Sequence, residues 1–383
     1  MGLPSGSPYF AISQGGTALF KIETPKIRLA AGAPFPSANQ FQTFAEDLHR
    51  MGFAGQGVII NVVDSGAPHP EQVPEGALIG GLNLVPGGDP ADLLDRLGHG
   101  SLVTRIVLAI APKAQIRTIR IFGDQGYCED ATAGLGLQKA SEAGHLTNAS
   151  IGGDANPALA LGVAMHEGKQ MPLIAAAGNT SLDKGSADIV ERSYPGAYEY
   201  VTAIGAIDHG GMPDTGTMMD WLPWKPSEFS SSYPEVDAVA VGRVPGSWDM
   251  GTSFAAPIAA GLEACYISYA MATGRDWSDD ACYLWLTSNA RQLPGLPARN
   301  DQTGYGQLTL RPYQTPVVIE IDVETLEVYV SGVHKPELKG QFGLENRAPG
   351  GVYGWYRPLM EAAGAREVPV EYDDGRRRAR YKF

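Results

Sequence analysis

The sequence has few cysteines, no long apolar run and no excess of positive charge. Its 383 residues include three cysteines, Cys128, Cys265 and Cys282, which cannot all pair within one chain and lie in no metal-binding spacing such as Cys-x-x-Cys. The amino end lacks the charged start and apolar stretch of a secretory signal. We therefore expect a cytoplasmic location, with a secreted form after processing as the alternative.

Membranes and nucleic acids are not expected as partners. No segment approaches the ~18–20 consecutive apolar residues that a membrane-spanning helix needs. Lysine and arginine total 29 against 42 aspartates and glutamates, a formal net charge of −13, which argues against general binding to nucleic acid. The basic run at residues 376–382 follows two aspartates, and we expect it to be solvated or docked on the acidic body.

Apolar side chains and glycine, by contrast, are abundant. Hydrophobic residues make up 44% of the chain and charged residues 19%, and there are 48 glycines. This is enough apolar volume for one large α/β domain, in which glycines permit tight turns between strands and helices.

The peptide 251–257, Gly-Thr-Ser-Phe-Ala-Ala-Pro, is the most informative stretch. It predicts that Ser253 lies in the first turn of a helix running to about Ala270, after a sharp turn that Gly251 allows. Pro257 is expected near the helix start, where its missing N–H costs no hydrogen bond. A hydroxyl at a helix N-terminus lies among unpaired backbone donors, where negative charge on a substrate oxygen is stabilised.

Two further segments supply an acid and a base. Residues 58–63 are rich in β-branched side chains and predict a buried strand with Asp64 at its C-terminal end, where open α/β sheets hold functional residues. His99 lies between two glycines, just before the helical pattern of residues 103–110. Each alone is commonly a structural residue, but together, in the order Asp64, His99, Ser253, they indicate a catalytic triad.

This chain order resembles that of the subtilisin-like serine proteases, the subtilases. The resemblance covers roughly residues 42–311 and implies an α/β fold, a three-layer α/β/α sandwich with a mostly parallel twisted sheet. It also implies a serine endopeptidase that cleaves polypeptides through an acyl-enzyme intermediate. Further motifs match the family in the expected order, at residues 148–153, 172–179, 194–197, 201–206, 229–231 and 303–308.

The resemblance assigns roles to the candidate catalytic residues. Ser253 would be the nucleophile, His99 the general base and then acid, and Asp64 the carboxylate that orients the imidazole. Asn179 resembles the family's oxyanion-hole asparagine, acting with the backbone N–H of Ser253. The alternative is that Asn179, which follows Gly178, is a simple turn residue.

The stretch from Ser150 to Asp154 resembles the family's substrate-binding edge strand and pocket wall. Ser150, Ile151 and Gly152 would offer a free strand edge to an extended peptide, and Gly152 and Gly153 leave room for a side chain. If Asp154 faces that pocket, it would favour arginine or lysine before the cut bond. The alternative is that Asp154 is a solvated loop charge.

One departure from the family concerns metal binding. Secreted subtilisins insert a calcium-binding loop after the helix that carries the histidine, whereas residues 106–114 here run almost directly into the next strand. Calcium takes about six to eight oxygen ligands, and no cluster of carboxylates supplies them. We therefore expect no such metal site and no cofactor.

The amino-terminal segment, residues 1–41, is expected to be an extension outside the catalytic domain, which we place at residues 42–315. It contains Pro4, Pro8, Pro25, Pro34 and Pro36 and is predicted to be extended. It resembles the short leader of intracellular subtilases, so residues 1–20 either inhibit the active site or form a plain wrapping arm.

Residues 316–383 are expected to form a β-rich C-terminal extension. Apolar and polar residues alternate between Val318 and Val330, which predicts a two-stranded hairpin turning near Glu324-Thr325. Two strands alone are marginally stable in water, so this extension is expected to pack on the catalytic body, a partner or another copy of the chain.

Two other function classes remain open. One is a catalytically silent subtilase-fold binding protein, against which the intact triad and Asn179 argue. The other is an ester or acyl hydrolase. Ser253 lacks the Gly-x-Ser-x-Gly motif of many such enzymes, because Ala255 occupies its last position, and the strand edge at Ser150 suits a polypeptide.

Overall fold

A computed structural model describes residues 35–180, 192–208, 225–244, 249–293 and 295–310, together with the backbone of residues 21–23, 318–322, 328–330, 333–334, 366–368 and 378–382. The segment predicted to be inhibitory, residues 1–20, lies outside these ranges. Short 3₁₀ helices cover Ala38–Phe41 and Pro70–Gln72. The helices are α1 (Glu46–Arg50), α2 (His99–Ile110), α3 (Asp130–Ser141), α4 (Pro157–Glu167), α5 (Thr252–Thr273) and α6 (Asp279–Ser288).

The main sheet contains ten of the described strands, in the order β11-β12-β10-β8-β7-β6-β2-β4-β3, with β9 paired to β8. Neighbours from β12 to β3 are parallel, whereas β11 and β9 are antiparallel to theirs. These strands are β2 (Ile59–Asp64), β3 (Leu78–Asn83), β4 (Gln115–Arg120), β6 (Leu146–Ala149), β7 (Leu173–Ala176), β8 (Thr202–Asp208), β9 (Lys225–Pro226), β10 (Val236–Val241), β11 (Ala290–Arg291) and β12 (Gln307–Leu308).

Helices cover both faces of this sheet, because its strands are apolar on both sides. Along β7, Leu173 and Ala175 belong to one core cluster, which includes side chains of α3 and α4. Ile174 and Ala176 belong to another, which includes side chains of α2 and α5. The alternation separates two helical layers by one sheet, so the predicted three-layer α/β/α sandwich with a mostly parallel sheet is confirmed.

Helix α5 corrects the expectation that no segment of the chain is long and apolar enough to span a membrane. By length and composition this 22-residue helix could cross a membrane, since its most apolar window has a mean hydropathy of 1.2. However, 83% of that window is buried inside the protein. Alanines and glycines let α5 lie against α2 and the sheet, so the helix is apolar because it is a core element.

Outside the main sheet, β1 (Lys21–Glu23) pairs antiparallel with β5 (Tyr127–Glu129), with Ile22 opposite Cys128. Part of the predicted extended N-terminal segment is therefore a strand. The division into residues 1–41, 42–315 and 316–383 stays a prediction.

The carboxyl-terminal region contains a five-stranded antiparallel sheet in the order β15-β14-β13-β17-β16. The predicted hairpin is confirmed, because Ile319 pairs with Val330 and Ile321 with Val328. Its connecting residues, 323–327, lie outside the described residues. These strands are β13 (Val318–Asp322), β14 (Val328–Val330), β15 (Val333–His334), β16 (Arg366–Val368) and β17 (Arg378–Lys382).

The expectation that the basic run is solvated or docked on the acidic body stays a prediction, but residues 378–382 of that run belong to a strand. They form β17, which pairs with both β13 and β16. In this register Arg378 is opposite Asp322 and Arg380 is opposite Glu320.

Candidate active site

Asp64 occupies the C-terminal end of a central strand, as the sequence predicted. It is the last residue of β2, which lies between β4 and β6, and it is fully buried. Its Oδ1 accepts hydrogen bonds from the backbone N–H of Ser65 at 2.7 Å and from Nδ1 of His99 at 2.8 Å. Its Oδ2 is buried and has no partner within the described residues. The carboxylate is therefore directed at the imidazole.

His99 is the first residue of α2 and is 2% exposed. Gly98 precedes it with φ 88°, a left-handed conformation that turns the chain sharply into the helix. Because a carboxylate only accepts, the bond to Asp64 assigns a proton to Nδ1 and leaves Nε2 as the basic nitrogen. The other side of the ring lies against Phe254, with centroids 5.6 Å apart.

The electrostatic environment of His99 is dominated by carboxylates. Burial lowers the pKa of His99, but the charge and hydrogen bond of Asp64, with the charges of Asp95 and Asp249, more than offset it. The pKa therefore lies above its ordinary value of 6.5. The carboxylates therefore stabilise the protonated imidazolium, the form that a histidine takes when it accepts a proton as general base.

Ser253 is the second residue of α5, in the first turn. Its hydroxyl donates to the backbone oxygen of Ser150 at 3.3 Å and makes no hydrogen bond to His99. The structure thus brings Asp64 and His99 together through a hydrogen bond, whereas the hydroxyl of Ser253 is directed at the predicted substrate-binding edge.

Pro257 lies farther into the helix than the sequence suggested, at the sixth residue of α5. Since proline has no N–H, the carbonyl of Ser253, four residues earlier, receives no helical hydrogen bond. The hydroxyl of Ser150 donates to that carbonyl at 2.8 Å and itself accepts from Nδ2 of Asn148 at 2.9 Å. Ser150 thus joins the end of β6 to the first turn of α5.

Asn179 follows β7 and is oriented by hydrogen bonds on one side of its amide. Its Oδ1 accepts from the backbone N–H of Thr252 at 2.9 Å and from the hydroxyl of Thr252 at 3.1 Å. The same hydroxyl accepts from the N–H of Gly178 at 3.0 Å. These contacts fix Oδ1 toward α5, and in the part of the chain that the structure describes the Nδ2 donor of Asn179 has no acceptor.

The predicted substrate-binding segment begins directly after β6, and its first residues do not pair with another strand among the described residues. Ser150 and Ile151 are buried, and the backbone groups of Ile151 and Gly152 make no backbone hydrogen bonds to the residues that the structure describes. Gly153 pairs with Tyr194 through two backbone hydrogen bonds of 3.0 and 2.9 Å. The free edge is therefore limited to the residues between Ser150 and Gly153.

Asp154 is exposed at the end of this segment. Burial, and then the charge of Asp154, raise the pKa of Asp130 at the start of α3. A preference for arginine or lysine stays a prediction.

Sequence reasoning missed Ser193. A Cβ atom on Gly178 would lie 2.7 Å from the Cβ of Ser193, and one on Gly152 would meet its hydroxyl. The side chain of Ser193 therefore lies between the two glycine-bearing segments that the sequence assigned to the site. Only tertiary structure brings residue 193 there, so no local pattern could have identified it.

Metal ligands are a separate question. The described ranges contain no group of three or more histidines, cysteines, aspartates or glutamates that could hold a metal ion. Only residues 111–114 connect α2 to β4, so the short connection predicted at the position of the family's calcium loop is confirmed. The absence of a metal and of a cofactor stays a prediction.

Comparison with known proteins decides the family. The model of the Subtilase family matches residues 55–306, about two-thirds of the chain. The chain is a subtilase. The matched residues include Asp64, His99, Asn179 and Ser253, and the match makes this protein a subtilisin-like serine endopeptidase by family.

Individual relatives agree with this assignment. An intracellular serine protease of Paenibacillus polymyxa is 31% identical over 267 residues, which cover 63% of this subtilase and 77% of that protein. Subtilisin BL of Lederbergia lenta is 30% identical over 237 residues, 56% of this chain and 78% of the relative. The M-protease of Shouchella clausii strain KSM-K16 is also 30% identical over 237 residues, 56% of this chain and 55% of the relative.

Proposed function

We propose that this subtilase hydrolyses peptide bonds within polypeptides by means of an Asp64–His99–Ser253 triad and an acyl-enzyme intermediate. The observation that carries the proposal is the buried 2.8 Å hydrogen bond between Asp64 and His99. It is supported by the position of Phe254, the residue after Ser253, against the imidazole ring. The family match supports the serine endopeptidase class.

Attack begins when the hydroxyl of Ser253 leaves the carbonyl of Ser150. Rotation about the side-chain bond of Ser253 turns the hydroxyl toward Nε2 of His99, and such catalytic hydrogen bonds commonly form only when substrate is bound. His99 takes the proton as Oγ attacks the scissile carbonyl, and then donates it to the leaving amine. Asp64 holds the Nδ1–H tautomer and stabilises the imidazolium.

The developing oxyanion needs donors aimed at its new position. The proposed donors are Nδ2 of Asn179 and the backbone N–H of Ser253, which lies in the first turn of α5 and has no helical partner. The orientation of the Asn179 amide by Thr252 supports this role. Because the donors are positioned before the reaction, they require little reorganisation.

The substrate is proposed to be an extended polypeptide lying along Ser150, Ile151 and Gly152. The unpaired backbone of this edge supports the proposal, since a peptide strand can supply the missing partners. Gly152 and Gly153 are proposed to lie beside the substrate, with the side chain of Ser193 next to Gly152, and Asp154 is the candidate for contact with basic side chains.

Residues 1–20 are proposed to restrain activity by lying across this edge. Support comes from β1, which follows them and pairs with β5, the strand directly before Asp130. An intracellular location is proposed on the name of the Paenibacillus polymyxa relative. The C-terminal extension, residues 316–383, is proposed as a contact surface for the catalytic body or a partner.

Covalent labelling tests the function. A fluorophosphonate probe is expected to label the wild type and not Ser253→Ala. Ser268→Ala is the matched control, because Ser268 lies on the same helix and its hydroxyl donates only to the carbonyl of Cys265, at 2.9 Å. Incubation with an unfolded protein and with a short-chain ester then separates an endopeptidase from an ester hydrolase. Failure of the wild type to react with the probe would indicate a silent binding protein.

A further inference from the structure

The helix that begins with His99 lacks a capping side chain of its own. Its N-cap residue, Gly98, has no side chain to accept the first-turn N–H groups, which have no partners within the helix. Acceptors come from outside the helix. The hydroxyl of Ser65 accepts from the N–H of Gly100 at 2.9 Å, and Oδ2 of Asp95 accepts from the N–H of Ser101 at 2.7 Å.

Asp95 is the centre of this arrangement. Its Oδ1 accepts from the backbone N–H groups of Leu97 and Gly98, each at 2.9 Å. The same oxygen accepts from the hydroxyl of Ser65 at 2.9 Å, the shorter of two contacts of a hydroxyl that also lies 3.2 Å from Oδ1 of Asp64. One carboxylate therefore receives four hydrogen bonds, three from groups on either side of His99 and one from the residue next to Asp64.

We propose that Asp95 is a positioning residue that fixes the imidazole of His99 against Asp64 by joining the end of β2 to the start of α2. The proposal rests on the catalytic roles proposed above. Its physical basis is that a charged acceptor makes stronger hydrogen bonds than a neutral one. A small displacement of a catalytic group has a large effect on rate.

Asp95 also acts on His99 through its charge. Among the described residues, the charged groups that act on the imidazole are Asp64 from β2, Asp95 from the loop before α2 and Asp249 from the segment before α5, and the apolar ring of Phe254 lies against it. The charges of all three carboxylates raise the pKa of His99, but only Asp64 touches the ring. Removing the charge of Asp95 without moving the ring therefore lowers the pKa of His99.

Asp95→Asn tests the proposal. The amide keeps one acceptor but places N–H donors against the N–H of Ser101, and it removes the charge. We expect kcat to fall about tenfold or more, KM to stay within about twofold, and the acid limb of kcat/KM to move to lower pH. The matched control is Asp89→Asn, the same change at an exposed loop residue whose Oδ1 accepts from the N–H of Ala91 at 2.9 Å; it is expected to behave like the wild type.

A second variant separates position from charge. Asp95→Glu keeps the charge but displaces the carboxylate, so kcat is expected to fall while the acid limb stays in place. A purely structural residue would lower the stability of Asp95→Asn and leave kcat of the folded protein unchanged. An unchanged kcat in Asp95→Asn would overturn the proposal, whether or not the acid limb moves. If that variant does not fold, an unchanged kcat in Asp95→Glu would overturn it instead.

Titration of His99 by proton NMR makes the outcome independent of catalysis. The resonance is assigned by its loss in His99→Asn, and its midpoint is expected to fall in Asp95→Asn and not in Asp89→Asn. An inactive wild type would refute the proposed function, yet this titration would still test the influence of Asp95 on His99. An identical midpoint in the wild type and Asp95→Asn would contradict that influence.

Discussion

Replacing Glu263 by glutamine is expected to stabilise the protein increasingly as the pH rises. The side chain lies on α5 with 1% of its surface exposed, and neither carboxylate oxygen has a hydrogen-bond partner in the part of the chain that the structure describes. Burial, and then the charge of Asp279, raise the pKa of Glu263 well above its ordinary value of 4.5. The folded protein therefore keeps a proton on Glu263 at pH values where the unfolded chain has lost it.

Proton linkage gives the sign and the size of this effect. A carboxyl group whose pKa is raised by folding contributes its full stability below its ordinary, unfolded-state pKa. That contribution is lost as the pH rises toward the folded pKa. Each pH unit in this interval removes about 1.4 kcal/mol from the free energy of unfolding of the wild type. The E263Q variant has no such proton to lose, so its advantage grows by the same amount per unit.

Urea unfolding followed by tryptophan fluorescence measures this difference between about pH 5 and about pH 8. Both proteins carry Ser253→Ala, which prevents self-digestion. Asp279, whose pKa is raised to about 7 by burial and then by the charges of Asp280 and Asp237, titrates in both proteins, so its contribution largely cancels. Glu75→Gln, the same change at an exposed residue, is the control. If the free energies of unfolding of E263Q and the wild type differ by a constant at every pH, the reasoning is refuted.

Other measurements test the site directly. Asn179→Ala is expected to lower kcat by about 10²–10³, the loss that removing an oxyanion-hole asparagine causes in subtilisin itself; unchanged kcat would exclude Asn179 from the oxyanion hole. The acid limb of kcat/KM is expected to have its midpoint above 6.5, because His99 must be neutral to act as base and its pKa is raised; a midpoint at or below 6.5 contradicts this. Asp154→Asn is expected to reduce cleavage after arginine and lysine in a peptide library relative to cleavage after other residues, and an identical profile would show that Asp154 is a solvated charge. Deletion of residues 1–20 is expected to raise kcat/KM toward an added peptide, whereas an unchanged value would favour a plain wrapping arm.

The parts of the site that could be predicted from sequence carry local signals. Asp64 ends a run of β-branched residues, and His99 and Ser253 each stand at a helix start marked by glycine. The structure places all three at those positions. The sandwich could be predicted because its strands and helices follow the order of a known family.

The parts that could not be predicted depend on residues distant in sequence. Asp95 lies in a loop with no periodic pattern, and its role depends on the distance to Ser65 across the end of β2. The side chain of Ser193 reaches Gly152 and Gly178 only through the tertiary fold. The strand at residues 378–382 was not predicted because basic runs are usually solvated, and its pairing with β13 spans more than fifty residues of chain.

Pro257 has a consequence for the whole cleft. Most helix-interior residues would use their own N–H to occupy the carbonyl of Ser253, and the hydroxyl of Ser150 would then have to compete for it. Proline removes that competitor, so the hydroxyl of Ser150, on the proposed substrate-binding edge, is held to the backbone of Ser253, the proposed nucleophile. The missing N–H at residue 257 therefore helps to set the distance between Ser150 and Ser253.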